Sequence, residues 1–245
     1  MSDKPSRPLI VTTEQLSSPV SISVNFLRRN ALDKLSLVQQ KVNLQESKGW
    51  SSFATGPNNS VFCVIGGSFS LHKISRTLSN EAADAPFESS AKVHHRFQIA
   101  VCYICGFECD GEQRLAASFD DKSVRVFRAT VDGLSELQQI PSSSANWIPG
   151  SLVGLIDGAF CISSDFRDSA NSKVRGIELC AADARGNISA PRLLKQFTNE
   201  VDLWCISRSA PLCIIAAEYG SKIALRMFHL KQPQSTSLAA APYLS

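Results

Sequence analysis

Three cysteines that lie close together in the chain have a spacing that could bind a metal ion. Cys102 and Cys105 form a Cys-x-x-Cys pair, and Cys109 follows shortly after them. Because His94 and His95 lie a few residues upstream, the residue types match those of a structural zinc site. The surrounding apolar run, IAVCYIC, predicts a β-strand, in which an odd separation directs two side chains to opposite faces. We therefore interpret these cysteines as small core residues and predict no cofactor, with zinc as the alternative.

A catalytic constellation is not recognisable in the sequence. No serine lies in a Gly-x-Ser-x-Gly context, and no Cys–His signature of a nucleophile is present. His72 and His229 fall within strand-like runs, which favours a structural role. Asp120 and Asp121 are adjacent in a polar turn, where carboxylates accept hydrogen bonds from the local backbone. The sequence therefore predicts a protein that binds partners and is not an enzyme, and a hydrolase or oxidoreductase on an all-β fold is the less favoured alternative.

Composition and charge are those of an ordinary globular protein. Of the 245 residues, 44% are hydrophobic and 19% are charged, which argues against disorder throughout. The formal net charge of +3 is too small for a strong field that would capture nucleic acid. No run approaches the roughly 18 apolar residues of a membrane span, and a secretory signal is not recognisable. We expect no membrane association, a cytosolic or nuclear location, and eight reduced cysteines.

The elements that must position these residues are predicted to be strands. Short β-branched and aromatic runs bounded by Gly, Asn, Asp and Ser recur from end to end, whereas helical periodicity is weak. The strand candidates are Val20–Phe26, Val61–Ile65, Phe69–Ile74, Ile99–Cys105, Leu115–Ser118, Val124–Arg128, Leu203–Ser207, Leu212–Ala217 and Ile223–Leu230. The segment Asn30–Leu44 fits either a helical turn or a strand. Three polar segments are predicted loops: Ser75–Ala91, Pro141–Gly150 and Ser163–Lys173.

An internal repeat narrows the fold class. Four segments share a template in which an apolar strand ending in small residues leads through a polar turn into a second apolar strand. They are Ser60–Ile74, Arg114–Phe127, Glu178–Leu193 and Pro211–Phe228, and an Ala-Ala pair recurs in the last three. Small residues of this kind let the inner strands of propeller blades crowd the narrow centre. The sequence thus predicts an all-β, WD40-type β-propeller that is incomplete, with about four recognisable blades. Another β-sandwich or barrel is the alternative.

The predicted organisation has three regions. Residues 1–50 form an N-terminal segment that is partly irregular, and residues 51–231 carry the propeller blades. Residues 232–245 are rich in Pro, Ser and Ala without periodicity, which predicts a disordered tail.

The repeats resemble the WD-repeat, non-catalytic subunit of the tRNA (guanine-N7) methyltransferase over roughly residues 57–230. VFCVIGGSFSLHKI is similar to that family's opening blade, and RLAASFDDKSVRVF is similar to its second blade. The segments ADARGNIS and IIAAEYGSKIAL are similar to the third and fourth. The resemblance implies a scaffold subunit, in the nucleus and possibly also the cytoplasm, that stabilises the catalytic methyltransferase subunit as a heterodimer. It also implies a role in tRNA methylation with only indirect contact to tRNA. A general WD-repeat adaptor in another complex is the alternative.

The polar turns of the later repeats are the predicted partner contacts, because exposed loops recruit the partners of a propeller. The candidate residues are Asp183, Arg185, Glu218, Tyr219 and Lys222. In the family that the chain resembles, a basic residue of the fourth turn lies near the catalytic partner. Tyr219 stands at that position here, so Lys222 or Arg185 is expected to take over its role. Simultaneous charge reversal at Asp183, Arg185 and Lys222 is predicted to abolish co-purification with the methyltransferase.

Overall fold

The computed structural model of this chain is all-β, as the sequence predicts, and every strand pair among the described residues is antiparallel. The structure describes residues 8–14, 20–29, 35–44, 51–57, 60–76, 89–144, 146–155, 158–167, 173–206 and 213–229. Within these ranges, no helix has the length and apolar character needed to cross a membrane. The predicted tail, residues 232–245, lies outside the described residues.

The described strands form four sheets, and in each sheet neighbouring strands follow one another along the chain. The N-terminal sheet contains β1 (Pro8–Glu14), β2 (Val20–Arg29) and β3 (Leu35–Leu44). The seven-stranded sheet contains β4 (Ser51–Thr55), β5 (Val61–Ile65), β6 (Ser68–Arg76), β7 (Ser89–Cys109), β8 (Glu112–Phe119), β9 (Val124–Ala129) and β10 (Leu134–Ile140). The third sheet contains β11 (Ile148–Gly154), β12 (Ala159–Arg167), β13 (Lys173–Ala181) and β14 (Arg192–Phe197). The last sheet contains β15 (Glu200–Ile206), β16 (Cys213–Tyr219) and β17 (Ile223–His229).

The 21-residue strand β7 joins two halves of the seven-stranded sheet. Its first part, up to Val101, pairs with β6, and its second part, from Val101 to Cys109, pairs with β8. We therefore divide the chain after the N-terminal sheet into four units of consecutive strands. The first unit is β4 to β6 with the first part of β7, and the second is the remainder of β7 with β8 to β10. The third unit is β11 to β14, and the fourth is β15 to β17.

We call the first strand of each unit its leading strand; in the second unit this is the second part of β7. Serine side chains link the leading strands of neighbouring units. Between the first and second units, the Ser52 hydroxyl donates to the Ile104 carbonyl and accepts the Ile104 N–H, both at 3.0 Å. Between the third and fourth units, the Ser151 hydroxyl accepts the Leu203 N–H at 2.7 Å. These bonds place β4 beside β7 and β11 beside β15, and the close approach of Gly154 on β11 to Gly106 on β7 joins the two pairs, so the four leading strands lie side by side in chain order.

Glycine sets the spacing of the leading strands where their backbones approach most closely. A Cβ built on Gly106 of β7 would lie 2.8 Å from the carbonyl oxygen of Thr55 on β4. A Cβ built on Gly154 of β11 would lie 2.0 Å from the carbonyl oxygen of Gly106. Because a side chain at either position would collide with backbone, only glycine permits this approach.

The hydrophobic core is divided into three clusters, each between successive units. Between the first and second units lie residues that include Phe62, Leu71, Phe97, Leu115 and Phe127. Between the second and third lie Phe107, Val126, Trp147, Phe160 and Ile188, among others. Between the third and fourth lie residues that include Val153, Cys161, Leu179, Leu203 and Ile214. The second and third units thus bury apolar side chains on both faces, so their strands carry apolar residues at successive as well as alternate positions.

Most strand predictions are confirmed, and several boundaries are corrected. The open segment Asn30–Leu44 contributes strand β3, and residues 8–44 of the predicted N-terminal region include a three-stranded sheet. All three predicted loops run into strands: Ser75–Arg76 ends β6 and Ser89–Ala91 begins β7, Ile148–Gly150 begins β11, and Ser163–Arg167 ends β12. Loops were predicted at these segments because serines and aspartates favour turns. Here Ser163 and Ser164 are buried and hydrogen-bonded, so they stay in the strand.

The Ala-Ala repeat does not mark one structural position. Ala116-Ala117 and Ala216-Ala217 lie in the second strands of their units, but Ala181 ends the third strand of its unit. Ala116 packs towards the following unit, whereas Ala216 packs towards the preceding one. Because strand side chains alternate between faces, a shift of one residue reverses the direction of each alanine. The Ala-Ala pairs of the third and fourth copies therefore do not occupy the structural position of Ala116-Ala117.

Candidate partner-binding turns

The turn after β13 is built on Asp183. One carboxylate oxygen of Asp183 accepts the backbone N–H groups of Arg185 and Asn187 at 2.8 and 2.9 Å. The Asp183 N–H donates to the Asn187 carbonyl at 2.8 Å, and Gly186 adopts a positive φ of 77° that closes the turn. Ala184 and Arg185 are exposed at its tip. The turn is thus ordered by its own backbone and presents a basic side chain to solvent.

Two side chains of the second unit fix this turn from outside. The Arg114 guanidinium donates to the Gly186 carbonyl, although Arg114 itself is buried. The Gln138 amide on β10 donates to the Ile188 carbonyl at 2.7 Å and accepts the Ile188 N–H at 2.8 Å. Because these contacts come from a neighbouring unit, the position of Arg185 depends on the packing of the second unit against the third.

The hydrogen bonds also affect the titration of Asp183. The backbone N–H groups of Asn187 and then Arg185 stabilise the ionised carboxylate, so they lower its pKa. A lowered folded-state pKa contributes stability above the unfolded pKa, and that contribution is lost as the pH falls through the folded value. The turn is therefore expected to loosen in acid.

Replacement of Asp183 tests whether the carboxylate orders the turn. In Asp183→Ala, the amides of Arg185 and Asn187 lose their acceptor, and we expect their hydrogen exchange to accelerate on the order of tenfold at neutral pH. Asp183→Asn keeps an acceptor oxygen without the charge, so it should retain protection and lose the acid dependence. Amide exchange measured by NMR distinguishes the two. Equal protection in wild type and Asp183→Ala would contradict this role.

The second candidate turn follows β16 and contains Lys222. Glu218, at its edge, accepts hydrogen bonds from the Asn199 amide and from Arg226 Nε, both at 3.0 Å. These bonds, from Asn199 first and then Arg226, lower the pKa of Glu218. Tyr219 is half-buried and pairs with Ile223 across the hairpin. Lys222 is exposed. Glu218 therefore stabilises the hairpin through its hydrogen bonds. Lys222 is the charged side chain that this turn exposes to solvent.

The two turns lie at opposite ends of the sheets. Asp183 follows β13 and precedes β14, whereas β15 begins soon after β14 ends, and Glu200 of β15 pairs with Tyr219. The length of β14, six residues, therefore separates them, which is roughly 20 Å at about 3.3 Å per residue. Asp183 and Arg185 do not form one patch with Glu218, Tyr219 and Lys222. Joint charge reversal would thus probe two separate surfaces, and at Asp183 it would also disrupt the turn.

Of the cysteines and histidines of the sequence motif, Cys105 and Cys109 occupy core positions, whereas Cys102, His94 and His95 are half-buried. Cys105 and Cys109 lie in the cluster between the second and third units, which confirms their interpretation as core residues. The His94 ring packs against Phe62 in a tilted arrangement and the His95 ring packs edge-on against Phe97, with ring centroids 5.0 and 4.9 Å apart. Burial lowers the pKa of both imidazoles. In the part of the chain that the structure describes, no three His, Cys, Asp or Glu side chains are grouped to hold a metal ion.

Sequence reasoning did not find Arg114 and Gln138, the residues that fix the first turn. Arg114 could have been recognised from the sequence. It lies two positions before Ala116 on β8 and therefore on the same buried face, where a cation needs a hydrogen-bonding partner. Gln138 has none, because glutamines on an outer strand are ordinary surface residues. The contact that makes it specific joins residues 50 positions apart.

Comparison with known proteins gives a limited result. No family model matches the chain, and the curated proteins contain no match. The crystal structure of AofleA from Arthrobotrys oligospora is similar with a TM-score of 0.45 and 9% identity, covering 86% of this chain and 65% of that one. A triple arginine-to-alanine mutant of AofleA gives 0.40 and 8%, covering 87% and 77%. Both TM-scores and identities are low, and neither likeness bears on the function of this chain.

Proposed function

We propose that the chain is a WD-type β-propeller segment that acts as a non-catalytic scaffold. Its partner in this proposal is the catalytic subunit of a tRNA (guanine-N7) methyltransferase, which it binds and stabilises without contacting tRNA directly. The family assignment is supported by the resemblance of the repeat segments, above all RLAASFDDKSVRVF.

The arrangement of the units supports the propeller interpretation. The first three units each contain four antiparallel strands in chain order, and successive units stack through apolar faces. The leading strands lie side by side, with Ser52, Gly106, Ser151 and Gly154 at their closest contacts. Blades around a common centre have these relations.

The ordered turn at Asp183 is the observation that carries the scaffold proposal. Its backbone bonds and its contacts with Arg114 and Gln138 hold it in place before any partner arrives. A pre-ordered loop loses little conformational entropy on binding, so its exposed Arg185 is suited to an ion pair with an acidic partner surface. Lys222 presents a charge in the same way at the opposite end.

Separate charge reversals test which end binds the partner. We expect Arg185→Glu to reduce co-purification of the co-expressed methyltransferase subunit at least about tenfold, because reversal replaces attraction by like-charge repulsion. Lys222→Glu is the matched control at the other end and should have little effect. Recovery of the partner is measured by quantitative mass spectrometry, and N7-methylguanosine in tRNA is measured in the same cells.

Each outcome of this experiment has a defined meaning. A loss only with Lys222→Glu would move the interface to the end that carries the fourth-unit turn. Failure of the wild-type chain to co-purify with the methyltransferase subunit would contradict the proposed partner. A normal level of N7-methylguanosine after removal of the chain would contradict its role in tRNA methylation.

A further inference from the structure

Two adjacent histidines, His94 and His95, lie in the contact between the first and second units, which we call the first seam. The His95 ring packs against Phe97 and Phe127, with ring centroids 4.9 and 6.4 Å apart. The His94 ring packs against Phe62, with centroids 5.0 Å apart. Neighbouring residues of a regular strand point to opposite faces, but the pairing of β6 with β7 is irregular here, so both imidazoles contact the seam.

The surroundings of His94 disfavour its protonated form. The Nε2 atom is inaccessible to solvent and has no hydrogen-bond partner in the part of the chain that the structure describes. A protonated imidazole donates from both ring nitrogens, so an N–H at Nε2 would be buried without an acceptor. The nearby Lys73 ammonium, which donates to the Val131 carbonyl at 3.0 Å, adds like-charge repulsion. Burial first and then Lys73 lower the pKa of His94, against the carbonyls of Gly133 and Thr130, which raise it.

The charged side chains that face the two imidazoles come from both units. On the first unit, Lys73 of β6 and Lys92 of β7 form a cross-strand pair. On the second unit, Arg125 of β9 and Glu136 of β10 face the seam and form an ion pair at 3.4 Å. Asp132 is exposed in the turn between those strands, where solvent screens its attraction. Charging either imidazole therefore adds to an excess of positive charge on the first unit.

We propose that the outer end of the first seam is a pH-sensitive switch that is closed while His94 and His95 are neutral and opens when they are protonated. The outer end consists of β6, the first part of β7 and the turn between β9 and β10. Opening would uncover Phe97 and Phe127, which are buried in the closed seam. The proposal does not depend on the methyltransferase.

The direction of the pH effect follows from the two histidines. Burial lowers the pKa of both imidazoles in the closed seam below their usual value of about 6.5. The opened seam therefore binds protons more readily than the closed one, and the closed form loses stability as the pH falls below about 6.5. Ionisation of Asp183 does not interfere, because its carboxylate titrates well below this range.

Hydrogen exchange of the full chain, followed by mass spectrometry, tests the switch. After correction for the intrinsic pH dependence of exchange, peptides covering residues 92–97 and 127–134 should exchange on the order of tenfold faster at about pH 5 than at about pH 7.5. A peptide covering residues 159–163 on β12 is the internal control and should show no such change. NMR titration of the same chain should give apparent pKa values below about 6.5 for both imidazoles.

Replacement of the charged groups shows whether they cause the opening. The double variant His94→Gln/His95→Gln cannot gain charge, so its exchange should be equal at the two pH values. Lys73→Met removes the repulsion, so it should raise the pKa of His94 and reduce the acid effect. Lys73→Arg is the matched control, because it keeps the charge and should retain the effect.

The outcomes that would overturn the switch are defined for each readout. Wild-type exchange that is equal at the two pH values overturns the proposal, as does an acid effect that persists unchanged in the double variant. Imidazole pKa values at or above about 6.5 in the wild type overturn it as well. If the double variant does not fold at about pH 7.5, the comparison of Lys73→Met with Lys73→Arg replaces it, since both of these variants keep the histidines. Equal acid effects in those two variants would then overturn the proposal.

Discussion

Gly154→Ala is expected to destabilise the fold by about 3 kcal/mol or more, a large share of the stability of a domain this size. The new methyl carbon would lie 2.0 Å from the Gly106 carbonyl oxygen and 2.8 Å from its carbonyl carbon. Both atoms belong to the backbone of β7, so no rotation of a side chain can relieve the overlap. The leading strands β7 and β11 must move apart, which opens the core between the second and third units.

The matched control is Gly133→Ala in the turn between β9 and β10. A Cβ there meets no atom within 4 Å, and its φ is outside the positive range. We expect a change within about 0.5 kcal/mol, with a small gain because alanine restricts the unfolded chain. Urea unfolding followed by circular dichroism measures both variants. Similar midpoints for the two would show that β7 and β11 are not in this close contact.

The role of Gly154 shows which parts of the fold are visible in the sequence. Strand positions such as Val61–Ile65 were predicted because alternation and β-branched residues are local signals. The strands that carry Ala116 and Val126 were predicted for the same reason, and they form the hairpin that the repeat template implies. The approach of Gly154 to Gly106 joins positions far apart in the chain, and no local pattern distinguishes these glycines from turn glycines.

For the candidate turns as well, the local structure is predictable from the sequence and the relative position is not. The tendency of Asp183 to cap a turn follows from its residue type and from Gly186 three positions later, so the turn itself was predictable. The location of this turn relative to Lys222 was not predictable, because it depends on the number of strands between the two turns and on the direction of each strand. One strand missed in the prediction, β14, is enough to place the two turns at opposite ends. A site assembled from separate repeats therefore requires the complete strand order.

Glu178→Leu is expected to cost about 2 to 5 kcal/mol, because it leaves two buried donors without an acceptor. Glu178 is 1% exposed on β13. One of its carboxylate oxygens accepts the Trp147 indole N–H at 2.7 Å and also the Ser164 hydroxyl. Trp147 belongs to the core between the second and third units, so this carboxylate joins the entry of β11 to the middle of the third unit. Chemical unfolding followed by circular dichroism measures the loss.

Two further variants separate the lost hydrogen bonds from the lost charge. Glu178→Gln keeps an oxygen that can accept from both Trp147 and Ser164, so we expect a clearly smaller loss than in Glu178→Leu. Adding Ser164→Ala to Glu178→Leu removes one of the orphaned donors and should recover about 1 kcal/mol. If Glu178→Gln were as unstable as Glu178→Leu, the charge of the carboxylate would matter more than its hydrogen bonds. Without recovery in the double variant, Ser164 would not depend on Glu178, and the stabilising contact would be that with Trp147 alone.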